Sequence, residues 1–249
     1  MTEKMLDLAE IGPGHRVLDI AAGDGDQSMM AARRVGPDGS VLATDISPNL
    51  LAYAAASAQE AGLDNFKTRV MDGEHLELED AAFDAVICRL GLMLMPRVNR
   101  VMSEVHRVLK SGGRVSAIVL STPEKSPWLS IPATVALKYA QLPPPQPGTP
   151  GPFSLGAPGL FEEALHGAGF QKVETYRVAA PLRLASASAC MEYLRDTAGG
   201  IYTILSPLGE DTQRRAWDEI EVTLGKLEGP SGFESPCEVI VGAGSKWAR

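Results

Sequence analysis

VLDIAAGDGD, Val17 to Asp26, and VLATDIS, Val41 to Ser47, decide how this 249-residue chain folds. The first is an apolar run that ends in a glycine-rich turn and opens a helix. The second is an apolar run that ends in an acid. Short apolar runs bounded by turn residues read as buried strands. Gly23 and Gly25 let a ligand approach the backbone, and a helix beginning near Asp26 offers free N–H groups to an anion. Asp45 stands about 20 residues beyond the glycines, where an acid can take both hydroxyls of a ribose. The two stretches therefore describe a nucleoside site at the carboxyl ends of two parallel strands. Dinucleotide enzymes use G-x-G-x-x-G, which Gly23, Gly25 and Ser28 only approximate. Asp19, an acid at the end of the first strand, would repel a pyrophosphate and tolerate a ligand bearing an ammonium group.

Outward from this centre, strands alternate with helices. Strands are expected over Arg16 to Ile20, Ser40 to Thr44, Phe66 to Met71, Phe83 to Cys88 and Arg114 to Leu120. Helices are expected from Asp26 to Arg34 and from a Ser47-Pro48 start to Gly62. Val98, Val101, Met102, Val105, Val108 and Leu109 recur at helical spacing, with Gly112-Gly113 as the stop and Lys110 suiting the helix dipole. The alternation argues for a doubly wound parallel α/β sheet. Residues 121–159 break the pattern. They hold one helix, around Trp128 to Leu142, and the run LPPPQPGTPGP, too long for an ordinary connection and read as a lid. A helix from Leu160 to Gly167 and a strand near Val173 to Val178 resume the sheet. Two helices, about 186–205 and 211–227, precede a last strand at Cys237 to Val241. We expect one domain over 1–249, with its core in 1–120, 160–181 and 236–249 and acceptor-side insertions at 121–159 and 182–235.

Composition narrows the partners. The formal net charge of -8 offers no global positive field for nucleic acid, so none is expected as a partner. No apolar run approaches the ~20 residues of a membrane span. Glu3, Lys4, Asp7 and Glu10 interrupt the N-terminal apolar residues, unlike a signal peptide. Cys88, Cys190 and Cys237 are widely spaced and form no CxxC pattern, so neither a zinc site nor a disulfide framework is expected. A cytoplasmic protein without a metal is the expectation, and a homodimer is left open.

Five stretches, VLDIAAGDGD, VLATDIS, VMDGEHLEL (Val70 to Leu78), FDAVICRLGLM (Phe83 to Met93) and EVHRVLKSGGRV (Glu104 to Val115), stand in one register over the first half of the chain. In that register the sequence resembles the class I S-adenosylmethionine-dependent methyltransferases. Within them it is similar to the branch of ubiquinone/menaquinone C-methyltransferases and many small-molecule methyltransferases. The resemblance implies a Rossmann-like seven-stranded sheet whose last strand is antiparallel, with helical lid insertions after strands five and six. It implies S-adenosylmethionine as the cofactor. Asp19 would then lie near the methionine amine, and the backbone of Ala21, Ala22, Gly23 and Gly25 would wrap the amino-acid moiety. Ala21 replaces the more usual first glycine. Asp45 would bind the ribose hydroxyls and Ile46 would pack on adenine. Asp72 would accept from the adenine amino group, with Gly73 beside it. The Cys88-Arg89 backbone would face the methionine part.

The chain also departs from that pattern. Relatives with LHHF after the fourth strand would have histidines at Met93 and Leu94; neither is present. His75 is then the nearest candidate base. A sulfonium methyl is already activated, so transfer needs mainly in-line placement of a nucleophile. Met93, Trp128, Tyr139 and Tyr193 are candidate walls of a pocket for a small, partly apolar acceptor. A second reading is a cofactor-binding protein of this fold that catalyses a non-methylating reaction such as a cyclisation. A nicotinamide oxidoreductase is argued against by the incomplete dinucleotide motif and by Asp72.

Overall fold

A computed structural model describes residues 1–146 and 148–247. The chain divides into two compact units, one of residues 1–120, 150–178 and 239–249, the other of residues 121–149 and 179–238.

The first unit is built on a seven-stranded sheet. Its strands are β1 (Arg16–Ile20), β2 (Ser40–Asp45), β3 (Phe66–Val70), β4 (Phe83–Arg89), β5 (Leu109–Leu120), β6 (Gln171–Ala179) and, nearly last in the chain, β10 (Glu238–Ser245). Val17, Leu18 and Ile20 are buried in β1, and Ala85, Val86 and Ile87 in β4. Such continuous apolar runs suit central strands covered on both faces. The order is β3-β2-β1-β4-β5-β10-β6. β1 runs parallel to β2 and β4, and β10 runs antiparallel to β5, from Val239 opposite Leu120 to Ser245 opposite Arg114. The strand order reverses between β1 and β4, which is where open α/β sheets leave a crevice.

Helices α1 (Thr2–Leu8), α2 (Asp26–Val35), α3 (Pro48–Glu60), α4 (Val98–Val108) and α6 (Leu160–Gly167) belong to this unit. α2 buries Ala31, Ala32 and Val35, and α4 buries Val101, Met102, Val105 and Val108. The Ser47 hydroxyl accepts the Leu50 N–H at 3.3 Å and so caps α3. The short α1 is fastened by charge: Arg34 reaches Glu3 and Asp7 at 2.5 and 2.7 Å, and the Lys4 ammonium stands 3.6 Å from the centre of the Tyr176 ring.

Gly112-Gly113 does not end a helix, contrary to the sequence expectation. α4 stops at Val108 and the chain turns directly into β5. Residues 109–113 form an irregular start to β5, where the register against β4 jumps from Leu109 opposite Phe83 to Arg114 opposite Ala85 and Gly112 holds φ +80°, and the far end of the chain holds them there. Gly112 donates to the Lys246 carbonyl, Lys246 donates back to Gly113, and the Lys246 ammonium donates to the Leu109 carbonyl. Lys110 pairs with Asp84 at 2.7 Å instead of serving a helix end.

The second unit contains α5 (Pro127–Ala140), α7 (Ala187–Thr197), α8 (Gly199–Leu205) and α9 (Glu210–Gly225). It also contains a three-stranded sheet of β7 (Leu182–Leu184), β8 (Glu228–Gly229) and β9 (Gly232–Ser235), in the order β7-β9-β8. Its core gathers Val135, Cys190, Leu194, Ile201, Ile220 and Phe233, with Trp217 packed against it. The helix expected over 186–205 is two helices, broken at Ala198. The small sheet escaped the sequence reading because strands of two to four residues are too short to show a period. Cys237 lies just outside β10. Pro147, within the Pro/Gly-rich run, lies outside the described residues. Among the described residues no helix is long and apolar enough to cross a membrane, and no group of three or more acidic, His or Cys side chains could hold a metal.

Candidate functional site

The cofactor-site candidates from the sequence, from Asp19 and the glycine turn to Asp45, Asp72 and Arg89, lie at the carboxyl ends of β1 to β4. Asp19 is fully buried. Its Oδ2 accepts a short hydrogen bond from the Ser28 hydroxyl in the first turn of α2, while its Oδ1 has no partner among the described residues. Burial pushes its pKa up to about 7, against the opposing pull of the Ser28 hydrogen bond and the Arg89 charge. Gln27, also buried, donates to the Ala22 carbonyl at 3.1 Å and keeps its own Oε1 unpartnered. Two buried oxygens without a partner among the described residues, one at the end of β1 and one in the first turn of α2, mark a place where a cationic or hydrogen-bonding group gains most.

The turn after β1 is pinned from both ends. Ala22 donates to the Thr44 carbonyl at 2.9 Å, and Gly25 donates to the Ala22 carbonyl at 3.0 Å. Gly25, at φ +81°, starts α2; a Cβ there would stand 2.7 Å from that of Ala54. Gly23 donates its N–H to Asp45 Oδ2 at 2.9 Å, and Ser47 donates to Asp45 Oδ1 at 2.9 Å. The Gly23–Asp45 bond thus adds a side-chain link to the backbone bonds that join the two stretches that opened the sequence. Each Asp45 oxygen keeps a second lone pair, so the oriented carboxylate can still accept from two neighbouring hydroxyls. Ile46, next in the chain, is 74% exposed.

The loop after β3 carries Asp72 and Gly73. Asp72 is exposed, and its Oδ1 accepts the Glu74 N–H at 2.9 Å. A Cβ at Gly73 would meet Ile20 Cγ2 at 2.9 Å and Met95 Cε at 3.2 Å. At the end of β4, burial pushes the Cys88 thiol up to about 12, helped by the Asp19 charge, so it stays neutral and unreactive. Arg89 donates from Nη1 to Asp26 at 2.7 Å and to the Thr2 hydroxyl at 3.2 Å. An acid with a free oxygen, a two-oxygen acceptor and an exposed apolar residue fit a nucleoside that bears an α-amino acid, which is the composition of S-adenosylmethionine.

His75 is exposed, with its backbone N–H on the Asp72 carbonyl at 3.0 Å. Met93 is buried in the first unit, and its Sδ takes the Leu120 N–H at 3.3 Å. Trp128, Tyr139 and Tyr193 belong to the second unit. There the Trp128 and Tyr193 rings lie 5.9 Å apart, and the Trp128 indole N–H is buried without a partner among the described residues. Tyr139 faces the charges of Lys138 and Arg215 at 5.3 and 5.8 Å. His106 packs edge-on against Phe170, and burial lowers its pKa.

Sequence reasoning missed Gln27 and the bond made by Ser28, although a signal was present. Both share helical spacing with Ala31, Ala32 and Val35, which marks them as buried polar groups in need of partners. Glu74 was missed as well. It is buried and accepts from the backbone and Nε of Arg97 at 2.7 and 2.6 Å.

Comparison with known proteins identifies the family. The family described as methyltransferase domain matches residues 11–135. A ubiquinone/menaquinone biosynthesis C-methyltransferase of Ralstonia pickettii is 38% identical over 120 residues, 47% of this chain and 49% of that protein. The chain thus spans about half the length of the curated relative it matches there. Nocamycin O-methyltransferase of Saccharothrix syringae is 30% identical over 198 residues, 76% of this chain and 71% of that one. The crystal structure of the YcgJ protein of Bacillus subtilis has a TM-score of 0.67 at 20% identity, covering 100% of this chain and 98% of its own, a likeness of fold.

Proposed function

The chain belongs to the class I S-adenosylmethionine-dependent methyltransferases, and on that premise we propose that it methylates a small, partly apolar molecule. The observation that carries the proposal is Asp45, oriented by the Gly23 and Ser47 N–H groups beside a buried Asp19 with an unpartnered oxygen. When bound, S-adenosylmethionine supplies an already activated methyl group. The protein's part is to place it and to keep water away, which can account for much of the rate. Asp45 would accept from both ribose hydroxyls, and Ile46 would pack on adenine. Asp72 would accept from the adenine amino group, with Gly73 leaving room beside it. Asp19 would pair with the ammonium. The backbone of Ala21, Ala22, Gly23 and Gly25 would wrap the amino-acid part, bordered by Cys88 and Arg89. Met93, Trp128, Tyr139 and Tyr193 are the proposed acceptor contacts. His75 is kept as the candidate base for acceptors that must lose a proton. The names of the two relatives, one a C- and one an O-methyltransferase, support a small-molecule acceptor. The free, widely spaced cysteines support a reducing compartment, and we place the protein in the cytoplasm.

Titration calorimetry tests the proposal. S-adenosylhomocysteine should bind and NADH should not; the reverse pattern overturns the reading. Asp45→Ala should weaken S-adenosylhomocysteine by about 1.5–3 kcal/mol, the value of hydrogen bonds to a charged group. Unchanged affinity would put the ribose elsewhere. Transfer of labelled methyl to a panel of phenols, quinols and amines would then identify the acceptor.

A further inference from the structure

We propose that the sheet face at the amino ends of β1, β2 and β4 holds a second binding site, for a small carboxylate with an apolar body. This site is separate from the cofactor crevice. Arg16, Ser40 and Phe83, on its lining, are the first residues of β1, β2 and β4, whereas the crevice lies at the opposite, carboxyl ends.

The site arises where a covering layer is interrupted. α2 crosses from β1 to β2, α3 from β2 to β3 and α4 from β4 to β5. Residues 71–82, which cross from β3 to β4, contain no helix. Along one face of the sheet, Leu18 of β1 stands beside Leu42 of β2, and Leu42 beside Lys67 of β3. Leu18 is buried, Leu42 half-buried and Lys67 exposed, so the cover thins toward the β3 edge. A cavity of about 520 Å³ remains there, within the size range of small-molecule sites. Its loop wall is pinned. Arg107 donates to the Leu76 and Leu78 carbonyls, both at 2.7 Å, and pairs with Asp80. Glu104 accepts the Leu76 N–H at 2.9 Å, and Arg69 donates to the Glu77 carbonyl at 3.3 Å. The loop is therefore fixed to α4 and β3, and little ordering cost falls on a ligand.

Charge selects the ligand. Half-buried Leu42 and Leu78 and buried Phe83 supply an apolar lining. Arg16, Lys67 and Arg69 stand on the strand side of it. The Arg16 guanidinium lies 5.6 Å from the centre of the Phe83 ring, so a cation is held over the apolar floor. Lys67 makes no ion pair among the described residues. Glu77 and Glu79 stand on the loop side, where they repel an anion and so direct an anionic head to the strands. Three cations beside an apolar floor match a carboxylate on an apolar body. Charges on an edge strand also deter pairing with other strands. That role requires no cavity, and it does not account for Arg16, which lies on an inner strand.

Calorimetry with decanoate tests the proposal, on protein saturated with S-adenosylhomocysteine so that the cofactor crevice is filled. Decanoate should bind with a dissociation constant of about a millimolar or below. Butyrate, with the same head and a shorter body, should bind at least about tenfold more weakly. Lys67→Glu should weaken decanoate about tenfold, and the double variant Glu77→Gln/Glu79→Gln should tighten it about two- to fivefold. The acids are exposed, so the double variant keeps the test open if Lys67→Glu fails to fold. Absence of decanoate binding, or binding only when S-adenosylhomocysteine is left out, would overturn the proposal. So would unchanged affinity in Lys67→Glu, which would leave the basic residues as guards of the β3 edge, or unchanged affinity in the double variant. A peptide of alternating glutamate and leucine that binds where decanoate does not would assign the cavity to a protein partner and overturn it as well.

Discussion

Ala21 holds φ +55°, a backbone region that residues with a Cβ rarely adopt, at the position where the resemblance leads one to expect glycine. Its methyl group closes on Gly91, where an added Cβ would stand 2.4 Å from that of Ala21. Gly91→Ala should therefore cost about 1–3 kcal/mol by overpacking, read from urea unfolding. Adding Ala21→Gly should restore most of the loss, whereas additive losses would locate the clash elsewhere. Asp19 makes a second prediction at this scale. Its carboxyl titrates near 7 in the folded protein against 3.8 ordinarily. Between those values the folded chain holds a proton that the unfolded chain has released. Stability should therefore fall as pH rises from about 4 to about 7, by something on the order of 4 kcal/mol. Asp19→Asn should flatten this slope, and a variant with the same slope would assign the titration to another group. The acid and the glycines were legible because each is a residue type at a motif position. Ser28 was legible only as a buried polar position at helical spacing; its bond to Asp19 was not, because a hydroxyl in a helix turn has many equally good local options.

α3 carries its own cap and its start was read correctly from sequence: it begins where the Ser47 hydroxyl takes the Leu50 N–H. α7 is also self-capped, by Ser186 on the Ala189 N–H, but it stops at Thr197, short of the expected end. α4 is different. Its N-cap residue, Arg97, makes no side-chain cap. The carboxylate of Glu74, 23 residues earlier, accepts the Arg97 N–H and complements the helix dipole. The same residue's carbonyl takes Arg100 Nε at 2.8 Å. Glu74 thus ties the loop of Asp72 and Gly73 to the start of α4. Glu74→Gln should lower stability by about 1–3 kcal/mol, since a charge-assisted bond is weakened and a buried group is left poorly paired. Unfolding in urea would measure it, and adenosine affinity should fall with it. Unchanged stability would show that the helix start does not depend on this carboxylate. The end of α4 taught the same lesson: Gly112-Gly113 is a sound local stop signal, yet pairing with Lys246 draws those residues into β5.

At the scale of the molecule, Asp19, Asp45 and Asp72 all belong to the first unit, and Trp128 to the second. If Trp128 contacts the acceptor as proposed, Trp128→Ala should slow methyl transfer by about tenfold or more, as misplacement of a reactant does, while S-adenosylhomocysteine affinity holds. Equal loss of both would assign Trp128 to folding, and loss of neither would move the acceptor away from α5. The alternation of strands and helices and the nucleoside motifs were legible in the sequence alone, because they rest on local causes: apolar runs, turn glycines and short motif spacings. The seven-stranded sheet with an antiparallel last strand was implied only by the family resemblance, and its order β3-β2-β1-β4-β5-β10-β6 was decided by the tertiary structure. Tertiary structure decided that Gly23 meets Asp45, that Asp19 keeps a free oxygen, that Arg89 is anchored by Asp26 63 residues away, and that residue 246 fixes residue 109. Hydrogen-bond geometry and desolvation arise only when distant segments pack, and no local pattern encodes them.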